Sequence, residues 1–377
     1  NSCRAPQDFT SFRSSFPALS SPISRRLAPS SRKFPGDQET LMAAAAPPRK
    51  RPAPEGPFSS VSGKKRPRYE FGTIDDYERL DELGEGTYGV VVKARHRRSG
   101  DTVAIKWLRG VDGGAPDLRA VVREASCLAA CRGHPSVVQI KDVVEDEATG
   151  DLFLVMELAG PCLRSRLRRP FSEAETRGFV LQLLRGLEGI HGTGTIHRDI
   201  KPDNVLVGRG GVLKICDFGM ATPVRPPYKE ECVGSLWYRS PVQLVGSQRY
   251  GLAVDVWALG CIMVELLTGA PLFEHVDTEE DMLMEVLHLR HEIESEGLQA
   301  FKGLPEDLSQ AAGELLLGLL CFEEDDRLTA AEALKHGWFD HEQDSREAES
   351  SSALSEAESP VVSEAESPAT SGTEHPP

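Results

Sequence analysis

The run IHRDIKPDNVLV, Ile196 to Val207, places two carboxylates (Asp199 and Asp203), a lysine (Lys201) and an asparagine (Asn204) within six positions, between apolar residues that can anchor both ends. These residue types suit phosphate chemistry. Asp199 can take a proton from a hydroxyl, Lys201 can neutralise a phosphate, and Asn204 can offer an amide oxygen to a hard cation such as Mg2+. Pro202 and the polar run fit a solvated turn as well. The loop alone leaves both readings open.

Three other segments carry candidate chemistry. The stretch LGEGTYGVVV holds Gly84, Gly86 and Gly89 ahead of Val90, Val91 and Val92, which predicts strand, turn, strand. Glycines let backbone amides close over phosphates, because no Cβ holds them away. A strand after the glycines, where a dinucleotide site needs a helix, argues against that alternative. In TVAIKWL, Lys106 stands between Ile105 and Trp107, so it needs a partner or must point out of the sheet. Glu124 is a candidate partner: it lies beside a helical stripe of Leu118, Val121, Val122, Ala125 and Leu128. Finally VLKICDFGM is a short apolar strand running into Asp217.

The elements that must position these groups are legible in outline. Strands are expected at Val137–Val144 and Asp151–Glu157. Ser172 and Glu175 form a capping box ahead of a helix whose Phe179, Leu183, Leu184, Leu187 and Ile190 make a core stripe. Ala221 to Glu231 reads as a long, mobile polar segment. DVWALGCIMVELLTG is an apolar helix with Asp255 as its cap, and helix continues to Phe339.

The chain has 377 residues and a formal net charge of -15, but its first seventy residues are basic and its last thirty-seven acidic. The balance argues against wholesale nucleic-acid binding. Val256 to Val264, the most apolar run, is too short to span a bilayer, and no signal peptide is visible, so no membrane partner is expected. The eight cysteines include no CxxC pair, which points to reduced thiols. Composition predicts disorder over residues 1–76 and 341–377. Met42 is the expected start, with residues 1–41 an upstream extension. Arg49–Arg51 and Lys64–Arg68 are spaced like a bipartite nuclear localisation signal, with a solvated basic tail the alternative. The tail repeats ALSEAESP as VVSEAESP, with Ser359 and Ser367 as phosphorylation candidates.

In succession, the glycine-rich hairpin, VAIK, the helical glutamate, HRDIKPDN, DFG and DVWALG make residues 77–340 resemble the eukaryotic protein kinases. The resemblance implies an α+β bilobal fold, with a mostly β small lobe (77–158) and a helical large lobe (159–340). It implies that Gly84, Glu85, Gly86, Thr87, Tyr88 and Gly89 cover ATP phosphates, and that Lys106, paired with Glu124, holds the α- and β-phosphates. Asp199 would be the catalytic base and Lys201 would steady the γ-phosphate. Asn204 and Asp217 would bind Mg2+, leaving Asp203 without a catalytic role. Val91, Ala104 and Leu206 would sandwich adenine, and Met156 to Ala159, with Glu157 among them, would form the hinge.

GEGTYGVV and LWYRSP look most like cyclin-dependent kinases, especially the divergent plant F-type class. That likeness implies inhibitory phosphorylation at Thr87 and Tyr88, and Ser or Thr before Pro as target, with Gly234 shaping the proline pocket. Departures from the family bear on regulation. PDLRAVVRE stands where the family's cyclin-binding helix reads PSTAIRE, which makes a cyclin partner doubtful and leaves a cyclin-independent kinase open. Glu230 occupies the activating threonine position. Of three phosphate-clamping arginines Arg123 and Arg198 remain, with Thr222 at the third place. Glu230 is therefore expected to mimic the phosphate in part. Val242 replaces a glutamate that pairs with an arginine matching Arg327, whose burial unpaired would cost about 3 to 5 kcal/mol unless the neighbouring acids Glu323 to Asp326 compensate. Cys162 replaces an acidic ribose contact and predicts weaker ATP affinity. A scaffold that binds partners and transfers nothing is the alternative class, although Lys106, Glu124, Asp199, Asn204 and Asp217 are all present.

Overall fold

The computed structural model describes residues 71–86, 89–108, 118–230 and 233–340. Thr87 and Tyr88, Met42, both basic clusters and the Ser/Glu-rich tail lie outside the described residues. The β-branched runs build one six-stranded sheet from β1 (Gly72–Thr73), β2 (Tyr77–Gly86), β3 (Gly89–His96), β4 (Thr102–Leu108), β5 (Ile140–Glu145) and β6 (Leu152–Glu157). Its order is β1-β5-β6-β4-β3-β2, antiparallel except where β1 meets β5. Among the described residues, β1 at Gly72–Thr73 already pairs with β5, ahead of Tyr77. Buried Ile74 and the Thr73 hydroxyl, which accepts from Asp75 N at 3.3 Å, hold that strand in place.

Helix α1 (Leu118–Ala130) turns Val121, Glu124, Cys127 and Leu128 inward and leaves Leu118 and Val122 exposed. The strand expected from Val137 begins instead at Ile140. The preceding backbone pairs elsewhere: Val138 N donates to Ile215 O at 2.9 Å, and Ile215 N to Ser136 O at 2.8 Å. The Gln139 amide fastens the turn by donating to Val137 O at 2.8 Å.

The second layer is helical. Helix α2 (Glu173–Gly192) starts at the Ser172–Glu175 capping box, and Leu183, Leu184, Leu187 and Ile190 are buried as the stripe requires. Two small pairs follow: β7 (Thr195–Ile196) with β10 (Thr222–Pro223), and β8 (Val205–Val207) with β9 (Leu213–Ile215). Then come α3 (Pro241–Leu244), α4 (Ala253–Thr268), α5 (Glu279–Glu296), α6 (Gln310–Leu319) and α7 (Ala330–Ala333). From Val254 to Leu267 every residue of α4 is buried, so it is the core of this layer. The six described cysteines are free thiols. Among the described residues no helix is long and apolar enough to cross a membrane.

Three local expectations change. Asp255 is not the α4 cap: Leu252 holds that position, and the carboxylate is used elsewhere, as described below. Arg327 is not orphaned by Val242. Its guanidinium donates to Cys321 O (2.7 Å), Ala253 O (2.9 Å) and Phe322 O (3.2 Å) and lies over the Trp257 ring. Burial still pulls its pKa down to about 10. The polar segment after Ala221 is anchored by an aromatic pair, Tyr228 on Tyr250, with ring centroids 4.6 Å apart. Tyr228 N also donates to Gln248 O at 2.8 Å.

Candidate active site

The charges of the two layers converge between them. Lys106 Nζ, from β4, lies 2.7 Å from Glu124 Oε1 of α1 and 2.7 Å from Asp217 Oδ1, just beyond β9. Both lysine and Glu124 are buried, where an unpaired charge would be costly. Burial works to lower the lysine's pKa, yet the two carboxylates overcome it and hold the ammonium charged. Burial pushes the Glu124 carboxyl up despite Lys106. It acts in the same direction on Asp217, but there Lys106 prevails and holds the carboxyl low.

Asp217 has φ 60°, a left-handed conformation that aspartate tolerates better than most residues. The neighbouring backbone fixes it: Cys216 N donates to Asn204 O at 2.9 Å, Cys216 O lies 3.0 Å from His197 Nε2, and His197 meets Phe218 edge-on at 4.9 Å. This interlocks the two stretches that carry Asp199 and Asp217.

Asp199 is held by four donor groups. Oδ1 accepts from Ser235 N (2.9 Å) and Ser235 Oγ (2.8 Å), while Oδ2 accepts from Asn204 Nδ2 (2.8 Å) and faces Lys201 Nζ at 3.0 Å. Lys201 also donates to Ser235 Oγ at 2.6 Å. Asn204 spends its nitrogen on Asp199, which keeps its amide oxygen available as a ligand. Beneath the loop, Asp255 accepts from His197 N (Oδ2) and Arg198 N (Oδ1), both at 2.8 Å, and Oδ2 lies 2.9 Å from His191 Nε2. Sequence reading missed Ser235, although GSLWYRSP was in view, and took Asp255 for a cap; only the folded chain shows what either touches.

The glycine-rich turn is the β2–β3 hairpin, with Gly84 opposite Val91, Glu85 opposite Val90 and Gly86 opposite Gly89. Gly89 has φ 136°, which a side chain would resist. Val91 faces Lys106 across β3 and β4, and Ala104 faces Met156 across β4 and β6. Beyond the half-buried Ala159, a Cβ on Gly160 would sit 1.8 Å from Val207 O, so only glycine lets this segment close on β8. Cys162 bridges to Leu206 there. Glu157 ends β6 with its carboxylate on Gln139 N (2.9 Å) and Lys214 Nζ (2.8 Å) and its own N–H donating to Gln139 O at 2.9 Å.

Glu230 reaches Arg123 Nη1 at 3.3 Å and Arg198 Nη1 at 3.5 Å. Burial acts to raise its pKa, but hydrogen bonding and the two arginines keep it below the usual carboxylate value. Gly234 has φ 91°, and a Cβ there would meet Arg198 O at 2.4 Å. Its carbonyl accepts from Arg239 Nε at 2.8 Å.

A lysine held between two carboxylates, beside a third carboxylate with its own lysine, is suited to binding polyphosphate and removing a proton. Among the described residues no cluster of three or more His, Cys, Asp or Glu is arranged to hold a metal unaided. Asp217 and Asn204 supply one carboxylate and one amide oxygen, a set that suits Mg2+, which keeps waters and substrate phosphates as its other ligands.

Residues 77–339 match the protein kinase domain family. The chain belongs to the protein kinases. Within them it is cyclin-dependent-kinase-like. It is 42% identical over 299 residues to a protein named as a cyclin-dependent kinase F-2 of Oryza sativa subsp. japonica, covering 71% of this chain and 90% of the relative. A cyclin-dependent kinase G1 of Arabidopsis thaliana is 35% identical over 319 residues, 74% of this chain and 52% of its own. A cyclin-dependent kinase G-2 of Oryza sativa subsp. indica is 34% identical over 71% of this chain, which spans only 42% of that relative.

Proposed function

We propose that this kinase transfers the γ-phosphoryl group of ATP to Ser or Thr hydroxyls of proteins, at sites followed by proline. The observation that carries the reading is the joining of Lys106, Glu124 and Asp217 across the two layers, next to an Asp199 fixed by four donor groups.

In this reading Asp199 orients the substrate hydroxyl and accepts its proton as oxygen attacks the γ-phosphorus, the bond to the β–γ bridging oxygen breaks, and ADP leaves. Ser235 and Asn204 keep the carboxylate turned toward the hydroxyl, and Lys201 neutralises charge on the transferring group. Lys106 holds the α- and β-phosphates under the β2–β3 hairpin. Asn204 and Asp217 would hold Mg2+, which when bound neutralises charge on the β- and γ-phosphates. The proline preference follows from Gly234: its carbonyl is already taken by Arg239, so a substrate backbone N–H there would go unpaired at about 1–3 kcal/mol, and proline has none.

The same reading extends to regulation. Glu230 stands in for an activating phosphate by tying α1, through Arg123, to the catalytic loop, through Arg198. Exposed Leu118 and Val122 on α1 are a surface for a protein partner such as a cyclin. Phosphate on Thr87 or Tyr88 would inhibit by repelling ATP. The basic clusters favour a nuclear address.

The test is γ-phosphate transfer by the purified chain to a Ser-Pro peptide library, with and without a cyclin. Asp199→Asn is expected to lower kcat by roughly 10²- to 10⁴-fold while ATP binding persists. Absence of transfer under every condition would instead favour a partner-binding scaffold.

A further inference from the structure

A groove of about 740 Å³ runs beside the catalytic loop. At one end its walls include Lys201 and Ser235, both in contact with Asp199. At the other, Asp203, Glu265 and Tyr238 converge on a single point, and a guanidinium of the chain itself fills it. Arg164 Nε lies 3.2 Å from Asp203 Oδ2, Nη1 pairs with Glu265 Oε1, and Nη2 donates to Tyr238 OH at 2.5 Å. Tyr238 OH in turn donates to Glu265 Oε2 at 2.7 Å.

The host groups belong to the structural frame. Glu265 is on the buried helix α4 with its side chain 1% exposed, Asp203 is on the catalytic loop, and Tyr238 follows Ser235. The guest comes from a short 3-10 turn, Leu163–Arg166, and stays 31% exposed on the groove side. Two carboxylates and a phenol around one planar cation form a receptor for guanidinium, and bidentate contact makes it selective for arginine.

We propose that Arg164 is a specificity-determining residue that occupies, from within the chain, a site where Asp203 and Glu265 would otherwise hold a basic side chain of the protein substrate. The inference rests on the kinase reading and adds a substrate class to it: proteins without a required arginine close to the phosphoacceptor. Asp203 is two residues beyond Lys201, and an extended peptide advances about 3.3 Å per residue, so the affected position lies within roughly three residues of the acceptor. A substrate arginine there meets a like charge and occupied carboxylates, which disfavours it twice.

The experiment compares Ser-Pro peptides carrying Arg or Gln at each position within three of the acceptor, using the full chain and its Arg164→Met variant, which keeps the apolar stem. For the wild type the Arg/Gln ratio of kcat/KM is expected to stay near or below one everywhere. In Arg164→Met it should rise about tenfold or more at one position, the strength of a charge-assisted hydrogen bond, and fall back in Arg164→Met/Glu265→Gln. Methylguanidinium should raise the Tm of Arg164→Met but not of the double variant, a readout that needs no transfer. Selection for Arg by the wild type would overturn the proposal and also decides the case should the variant not fold; so would a folded Arg164→Met with an unchanged ratio and no methylguanidinium response. A wild type that transfers to no peptide would defeat the kinase reading, and the Tm shift would then decide the guanidinium site alone.

Discussion

The catalytic loop and the activation segment meet at Ser235, yet different forces hold them. From His197 to Asn204 the loop is pinned from below by Asp255, a buried carboxylate whose oxygens take two backbone amides and lie against His191. From Thr222 to Glu230 the segment is held by an apolar cluster of Ile196, Tyr228, Tyr250 and Val254, with Val242 and Leu252 against it, and by half-exposed Glu230 on two arginines. A buried ionic anchor is permanent, because breaking it leaves charges and amides without partners. A surface ion pair over an apolar patch is weak and replaceable.

The sharpest way to break this contrast is to remove the permanent anchor. Asp255→Ala leaves the amides of His197 and Arg198 buried without an acceptor, and is expected to cost about 3–5 kcal/mol in denaturant unfolding, with transfer activity lost alongside. The pH dependence gives the sign independently. Burial acts to raise the Asp255 pKa, but His191 and the amides hold it below its ordinary 3.8. Its stabilising contribution is therefore complete above that unfolded-state value and lost as pH falls through the lower folded one. The stability gap between wild type and Asp255→Asn should be widest near neutrality and close below about pH 4; a gap that grows on acidification would refute the anchor.

A smaller effect is expected at Val242. Because Arg327 already finds three carbonyls and the Trp257 face, restoring an acid should not rescue it. Val242→Glu would instead place a carboxylate against the apolar cluster of Ile196, Tyr228, Tyr250 and Val254 and lower stability by about 1–3 kcal/mol; Val242→Ala should cost about 1 kcal/mol through lost packing. Thermal unfolding with limited proteolysis of the segment reads both. A more stable Val242→Glu would mean that Arg327 does lack a partner.

How much of this was legible in the sequence divides along the same line. The sheet, the α2 capping box and the positions of Lys106, Glu124, Asp199 and Asp217 follow from periodicity and motif order, because each signal is local. The lysine's need for a partner even pointed to Glu124. What stayed hidden depends on contacts between distant segments. Asp255 meets His197 across 58 positions, and Ser235 meets Asp199 across 36, with nothing in their own neighbourhoods to announce it. Tyr228 was masked by prolines and charges on either side, so a polar composition concealed one aromatic anchor. The partners of Arg327 stayed hidden for a related reason: they are backbone carbonyls, absent from any pattern of side chains.

The smallest expected effect tests the replaceable hold. Glu230 is 43% exposed on its side chain, so its pairs with Arg123 and Arg198 are worth no more than about 1 kcal/mol in total. If that energy positions α1, and with it Glu124 beside Lys106, Glu230→Ala should lower the turnover of unphosphorylated protein roughly 3- to 5-fold with little change in Tm. Salt should mimic the variant, because the pair is open to solvent: wild-type turnover should fall toward that of Glu230→Ala as ionic strength rises, while Glu230→Ala responds less. Glu230→Thr should behave like Glu230→Ala until phosphorylated and then recover or exceed the wild type, since a phosphate brings more charge to the same two guanidinium groups. Unchanged turnover in Glu230→Ala would show that the apolar cluster alone orders the segment, and that the two halves of its hold are not both needed.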